Sequence, residues 1–167
     1  PFTIAAALDV GSIRTDQLID CQNGAMEVAE YTIHDSHPYA QLTPAQILAF
    51  SSNIGTAKIA QGLGRAGLYR AFRRFGFGQT TGLPLPGETA GILRHYRRWY
   101  EMDAATISFG QGMSSTTVQL ASAMSALANG GDLVSPVLVR RIVDGHGETL
   151  EETRPNVLRR VCLLYTS

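Results

Sequence analysis

The segment Ser51-Ser52-Asn53 sets a hydroxyl and a carboxamide two residues apart, between two helix-like segments and with Gly55 close behind. A serine hydroxyl donates and accepts a hydrogen bond at once, and a carboxamide offers an acceptor oxygen beside two donors. At a helix–helix junction the Ser51 and Asn53 side chains can face one cleft. The same residue types cap helices, so a purely structural role, with Ser51 and Asn53 capping a helix that starts at Ile54, competes on spacing alone.

Other chemistry-bearing groups carry less. His34-Asp35-Ser36-His37 holds the residue types of a Ser-His-Asp triad, but neighbours on an extended segment point in alternating directions and do not converge. It reads as a polar surface loop before Pro38, and nothing else in the sequence completes a metal site with it. Phe109-Gly110-Gln111-Gly112 lacks the Gly-Lys-[Ser/Thr] of a phosphate loop and reads as packing. Cys21 and Cys162 match no metal-ligand spacing and no disulfide framework.

The elements that must position Ser51 and Asn53 follow from caps and breakers. Thr3 to Leu8 is an Ala-rich apolar run, expected as a buried helix ended by Asp9-Val-Gly-Ser12. Asn23-Gly24 predicts a hairpin turn between short strands. Thr43-Pro44 is a helix start, because threonine caps free amides and proline at the first position has no donor to lose. That helix runs to about Phe50, a second from Ile54 to Leu63 until Gly64, and a third from Leu68 to Phe75 until Gly76. Leu83 to Tyr100 reads as an extended loop. Thr116 or Thr117 caps a further helix with Val118, Leu120, Ala121, Met124 and Leu127 on its apolar face, closed by Asn129-Gly130-Gly131. Val137 to Val143 predicts a strand, turning at Gly145-His-Gly147 into a partner around Glu148 to Glu152. Helices preceding a hairpin predict an α+β domain.

Composition bounds the partners. The chain has 167 residues, 44% of them hydrophobic, enough for one modest core. Basic and acidic residues both number 14, which excludes a nucleic-acid partner recognised by net charge. Arg70, Arg73 and Arg74, and again Arg94, Arg97 and Arg98, are expected on solvated faces. No run approaches the ~20 apolar residues of a membrane helix.

Read in order, Ser51-Ser52-Asn53, Phe75-Gly-Phe-Gly78, Leu83-Pro-Leu-Pro-Gly-Glu88, Ala105-Thr-Ile-Ser-Phe-Gly-Gln-Gly112 and Val118-Gln-Leu-Ala-Ser-Ala-Met-Ser-Ala-Leu-Ala-Asn-Gly-Gly131 resemble the penicillin-binding proteins. These are the serine acyl-transferases that cross-link peptidoglycan, and the class B, division-type enzymes are the most similar. One departure is Ser115-Thr116-Thr117-Val118, which stands where most relatives have Val-Thr-Pro. The resemblance implies the fold shared by these proteins and the serine β-lactamases, with a helical cluster on an antiparallel sheet. It implies that Ser51 relays a proton to the leaving amine and that Asn53 holds a catalytic lysine and a substrate amide. It further implies no metal or organic cofactor, peptidoglycan stem peptides and β-lactam antibiotics as ligands, divisome proteins as partners, and a place on the periplasmic, extracytoplasmic face of the bacterial inner membrane.

The family's nucleophile lies in Ser-x-x-Lys, usually followed by Pro-Phe, and its third motif is Lys-[Ser/Thr]-Gly. This sequence begins Pro1-Phe2, contains no Lys-[Ser/Thr]-Gly, and has Lys58 as its only lysine. The expectation is therefore a fragment: residues 1–161 as the central part of a transpeptidase domain, inactive alone, with 162–167 a non-native tail and any membrane anchor upstream. A β-lactam sensor domain and a serine β-lactamase of the same fold stay open as alternatives.

Overall fold

Helix α1 (Phe2–Asp9) buries Thr3 through Ala7 against the long helix α3 (Asn53–Arg74). It ends as the sequence predicts, with the Ser12 N–H and hydroxyl both donating to the Ala7 carbonyl. The computed structural model that shows this describes residues 1–161. The expected tail at 162–167 and Cys162 lie outside the described residues. Within them no helix is long and apolar enough to cross a membrane.

Short antiparallel strands follow α1. Strand β1 (Ile19–Asp20) pairs with β4 (Gln41–Leu42), and between them β2 (Ala25–Val28) and β3 (Tyr31–His34) form a hairpin. Asn23-Gly24 is not its turn. It lies in a 3-10 turn ahead of β2, and the hairpin turns at Ala29-Glu30, with Ala29 at φ 53°. The register Val28↔Tyr31 leaves two residues for the turn, and buried Met26 opposite buried Ile33 fixes that register through the core face.

Helix α2 (Pro44–Phe50) has the predicted start: the Thr43 hydroxyl accepts from the Gln46 N–H, and the Gln46 carboxamide accepts from the Thr43 N–H. Helix α3 breaks at Gly64, whose φ of 66° and ψ of 164° are outside the helical region. The break lets one helix serve two cores. Ile54, Ala57 and Ile59 join Ile4, Ile19, Cys21, Met26, Ile33, Leu42 and Ile47 in the first. Leu68 and Phe72 join Phe75, Phe77, Trp99, Ile107, Ala123, Ala126 and Leu133 in the second.

The loop from 83 to 100 is ordered by a 3-10 turn at Tyr96–Arg98, and helix α4 (Glu101–Ser108), not foreseen from the sequence, follows it. Its first turn is closed by the Asp103 carboxylate, which accepts from the Tyr100 N–H and pairs with Arg94 at 2.6 Å. Helix α5 (Thr117–Ala128) is capped by Thr116. Thr117 then occupies the first helical position, where the proline of relatives would also fit. The buried face of α5 is Gln119, Ala123 and Ala126, whereas Leu120 and Met124 are exposed, so the predicted apolar face is corrected. Gln119 is buried because its Nε2 donates to the carbonyls of Gln79 and Ala90 and its Oε1 accepts from the Thr116 N–H. It therefore ties the loop to the helix. Gln119→Leu leaves those carbonyls without a donor and is expected to lower stability by about 2–3 kcal/mol, measured by urea unfolding.

The last elements are strands. Strand β5 (Asp132–Val134) pairs with β8 (Val157–Arg160), and β6 (Arg141–Val143) with β7 (Thr149–Glu152). Residues 137–140, predicted as strand, are irregular. Residues 157–160 are strand because they pair with β5. Arg159 donates from its guanidinium to the Arg73 and Arg74 carbonyls at the end of α3, and Arg73 donates to Gly78 O at 2.6 Å. Arg73, Arg74 and Arg94 thus hold elements together rather than coating a solvated face. The outcome is the expected α+β class, with helices gathered on short antiparallel sheet pieces.

Candidate active site

Ser51 ends α2 in the left-handed region, at φ 57° and ψ 43°. A residue with a Cβ pays about 1–2 kcal/mol for that conformation. The chain reverses there, so α3 can start two residues later. Ser52, not Ser51 or Asn53, is the cap of α3: its hydroxyl accepts from the Gly55 N–H at 2.9 Å. The competing structural reading, with Ser51 and Asn53 as the caps of this helix, is not what the hydrogen bonds show.

The adjacent serines both border one cavity but differ in burial. Ser52 is buried and donates from Oγ to Asp35 Oδ2 at 2.6 Å, with the Cys21 thiol 3.7 Å away beneath it. Burial pushes the Cys21 thiol above its ordinary range, which leaves it an inert core group. Ser51 is exposed, and its hydroxyl has no hydrogen-bond partner among the described residues. Asn53 is half-buried and donates from Nδ2 to the His34 carbonyl at 3.0 Å.

Ser51 and Asn53 both line a cavity of about 220 Å³. Its other walls are Pro1, Phe2 and Thr3 at the start of α1, Ser108, Phe109 and Gly110 at the end of α4, and Leu120 of α5. Thr3 donates from its buried hydroxyl to the Ser108 carbonyl at 2.6 Å, which locks two of these walls together. Phe2 packs its ring 5.1 Å from Phe75 and 5.0 Å from Phe77, closing the back. The segment at 109–112 supports the wall as expected: the Gly110 and Gln111 amides are used on the carbonyls of Ile107 and Thr106, so they form no phosphate cradle. Lys58 does not line the cavity.

Gly55 allows α2 and α3 to approach. A Cβ built on it would stand 2.6 Å from two side-chain atoms of the buried Ile47. Gly55→Ala is therefore expected to cost about 1–3 kcal/mol and to lower the thermal midpoint measured by circular dichroism.

The expected surface loop at His34–His37 needs correction. Asp35 is half-buried, and its Oδ1 accepts from the Ile54 N–H at 3.0 Å while Oδ2 accepts from Ser52. An anion beside free amides at a helix N-terminus is stabilised by both charge and hydrogen bonding. The sequence signal was an acidic residue directly after a short alternating strand, and it was outweighed by its polar neighbours. The His34 and His37 side chains line no part of the cavity.

The geometry has a counterpart among known proteins. The penicillin binding protein transpeptidase domain matches residues 1–161. The probable peptidoglycan D,D-transpeptidase PenA of Neisseria gonorrhoeae is 34% identical over 150 residues, covering 90% of this chain and 26% of that protein. Penicillin-binding protein PbpB of Mycobacterium tuberculosis is 33% identical over 159 residues, 94% of this chain and 23% of that protein. The transpeptidase domain of Burkholderia pseudomallei penicillin-binding protein 3 superposes with a TM-score of 0.85 at 30% identity, over 97% of this chain and 46% of that one. Penicillin-binding protein 3 of Mycobacterium tuberculosis, in complex with aztreonam, gives 0.85 at 31% identity over 97% and 36%. The chain spans about a quarter of the length of the curated relatives it matches. With the match running from Pro1 to Val161 and the fold superposing over nearly all of it, the chain belongs to the penicillin-binding protein transpeptidase domain family.

Proposed function

We propose that this chain is the central part of a peptidoglycan D,D-transpeptidase of the division type, in which Ser51 relays a proton and Asn53 positions the reacting groups. The observation that carries the reading is the convergence of Ser51, Asn53 and the Pro1–Thr3 end of α1 on one cavity. In the longer protein a Ser-x-x-Lys ahead of Pro1 supplies the nucleophile and its base to that same cavity. The serine attacks the D-Ala–D-Ala carbonyl, the lysine takes its proton, and the tetrahedral intermediate collapses to an acyl-enzyme as the terminal D-Ala leaves. The leaving amine needs a proton, and the Ser51 hydroxyl, which has no hydrogen-bond partner among the described residues, passes one on. An amine of a second stem peptide then attacks the ester and releases the cross-linked product. The Asn53 carboxamide, its Nδ2 held by His34 O, keeps its oxygen for a lysine ammonium or a substrate amide.

Penicillins enter as mimics of the acyl donor and leave a persistent ester. The protein acts on the extracytoplasmic face of the inner membrane, where its substrate is, and works with division proteins. The name of the relative PenA, a probable peptidoglycan D,D-transpeptidase, supports the transpeptidase activity in this reading. Sequencing the DNA that flanks this reading frame tests the proposal. Codons for Ser-x-x-Lys directly ahead of Pro1 and for Lys-[Ser/Thr]-Gly downstream are the expected result. Another residue at the nucleophile position would move the parent to a catalytically dead relative.

A further inference from the structure

We propose that Asp35 is a positioning residue for Ser51: its carboxylate sets where the Ser51 hydroxyl stands in the cavity. The effect on rate rests on the transpeptidase reading, whereas the effect on Ser51 conformation rests on geometry alone.

Ser51 holds an unfavourable left-handed backbone, and such a conformation persists only where the surroundings over-determine it. Its own tethers run back into α2, from its N–H to Ile47 O and, at 3.4 Å, to Leu48 O, and leave the side chain unheld. The residues after it are firmly tied. Ser52 Oγ donates to Asp35 Oδ2 at 2.6 Å, Asn53 Nδ2 to His34 O at 3.0 Å, and the Ile54 N–H to Asp35 Oδ1 at 3.0 Å. Three consecutive residues of the junction are thus held by two consecutive residues at the end of β3. Strand β3 is itself fixed, with Ile33 buried in the first core and the register Met26↔Ile33 and Ala25↔His34 on β2. The Ser51 hydroxyl has no partner among the described residues, so its place in the cavity is set by neighbours that Asp35 clamps.

A carboxylate suits this task because it accepts from two donors in different directions, a hydroxyl and a backbone amide. Asparagine at this position keeps one acceptor oxygen but turns its NH₂ toward Ser52 Oγ, which already accepts from the Gly55 N–H. Asp35→Asn is therefore a graded version of Asp35→Ala.

The experiment uses the full-length protein with Asp35→Asn, Asp35→Ala, Ser51→Ala and the Asp35→Ala/Ser51→Ala pair, all assayed well below their melting temperatures. Crystal structures of the Asp35 variants read the Ser51 backbone. Stopped-flow labelling by a fluorescent penicillin, and turnover of a D-Ala–D-Ala-mimicking thioester, read kcat and KM separately. Asp35→Ala should move Ser51 out of the left-handed region and lower the acylation rate about 10²-fold, mostly in kcat. Asp35→Asn should fall between it and the unsubstituted protein, and it carries the test if the alanine variant does not fold. With Ser51 already alanine, losing Asp35 should cost less than about threefold further, as for residues acting as one unit. Effects that multiply in full, or a Ser51 backbone unchanged in both variants, overturn the proposal. If the unsubstituted protein takes no penicillin label, the transpeptidase reading fails, and the Ser51 conformation still decides the role of Asp35.

Discussion

Ser51→Ala in the full-length protein is expected to lower the rate of acyl transfer by about 10²-fold or more while barely changing stability. The loss is the usual scale for removing one placed hydrogen-bonding group at a reacting centre. Stability is spared because the Ser51 side chain is exposed and its hydroxyl bonds to nothing among the described residues. The thermal midpoint should move by less than about 2 °C. Ser51→Gly sharpens the point, since glycine adopts φ near 57° without strain. That variant should be as inactive as Ser51→Ala yet no less stable, and more stable by about 0.5 kcal/mol once the added freedom of the unfolded chain is subtracted. Stopped-flow acylation beside a thermal melt reads both halves. A Ser51→Ala protein that melts far lower but acylates normally would assign the residue to structure and remove it from the mechanism.

Ser52→Ala, one residue on, is expected to do the reverse and unfold the protein more readily. The Ser52 hydroxyl is buried, donates to Asp35 at 2.6 Å and accepts from the Gly55 N–H at 2.9 Å. Alanine deletes a helix cap, worth about 1 kcal/mol, and leaves a half-buried carboxylate short of a charge-assisted partner. Together these should cost about 2–4 kcal/mol, or a fall of about 5–10 °C in the thermal midpoint. Urea unfolding with an unchanged m-value would show that the native state has lost stability without losing its shape. Activity should fall as well, because the turn that presents Ser51 loosens. Opposite outcomes at the neighbouring serines would separate a residue that displays chemistry from one that holds the scaffold.

Where local chemistry decides the structure, the sequence was legible. Thr43-Pro44 and Thr116 start helices because their caps satisfy amides within three residues, and Gly64 breaks α3 because of a backbone conformation that glycine adopts freely. The α+β class followed from the same signals. Distant partners hid the rest. Strand β8 forms because β5 lies beside it, and α4 starts where Asp103 closes the turn at Tyr100. On α5 the large apolar residues suggested the wrong face, because close packing through Ala123 and Ala126 and the bonds of Gln119 place small and polar residues inside. The candidate site divides in the same way. Ser51 and Asn53 stood out by type and spacing, whereas Asp35 bonds to Ser52 and Ile54 across 17 and 19 residues of sequence.

The most direct test of the central claim is to incubate the full-length protein with a fluorescent penicillin and map the adduct by peptide mass spectrometry. The account predicts one persistent ester on a serine three residues before a lysine, in the peptide that continues into Pro1-Phe2, formed about 10²-fold more slowly in the Ser51→Ala variant. An adduct on any other segment, one that hydrolyses within seconds, or none at all would contradict the reading of this cavity as the acyl-transfer site of a transpeptidase.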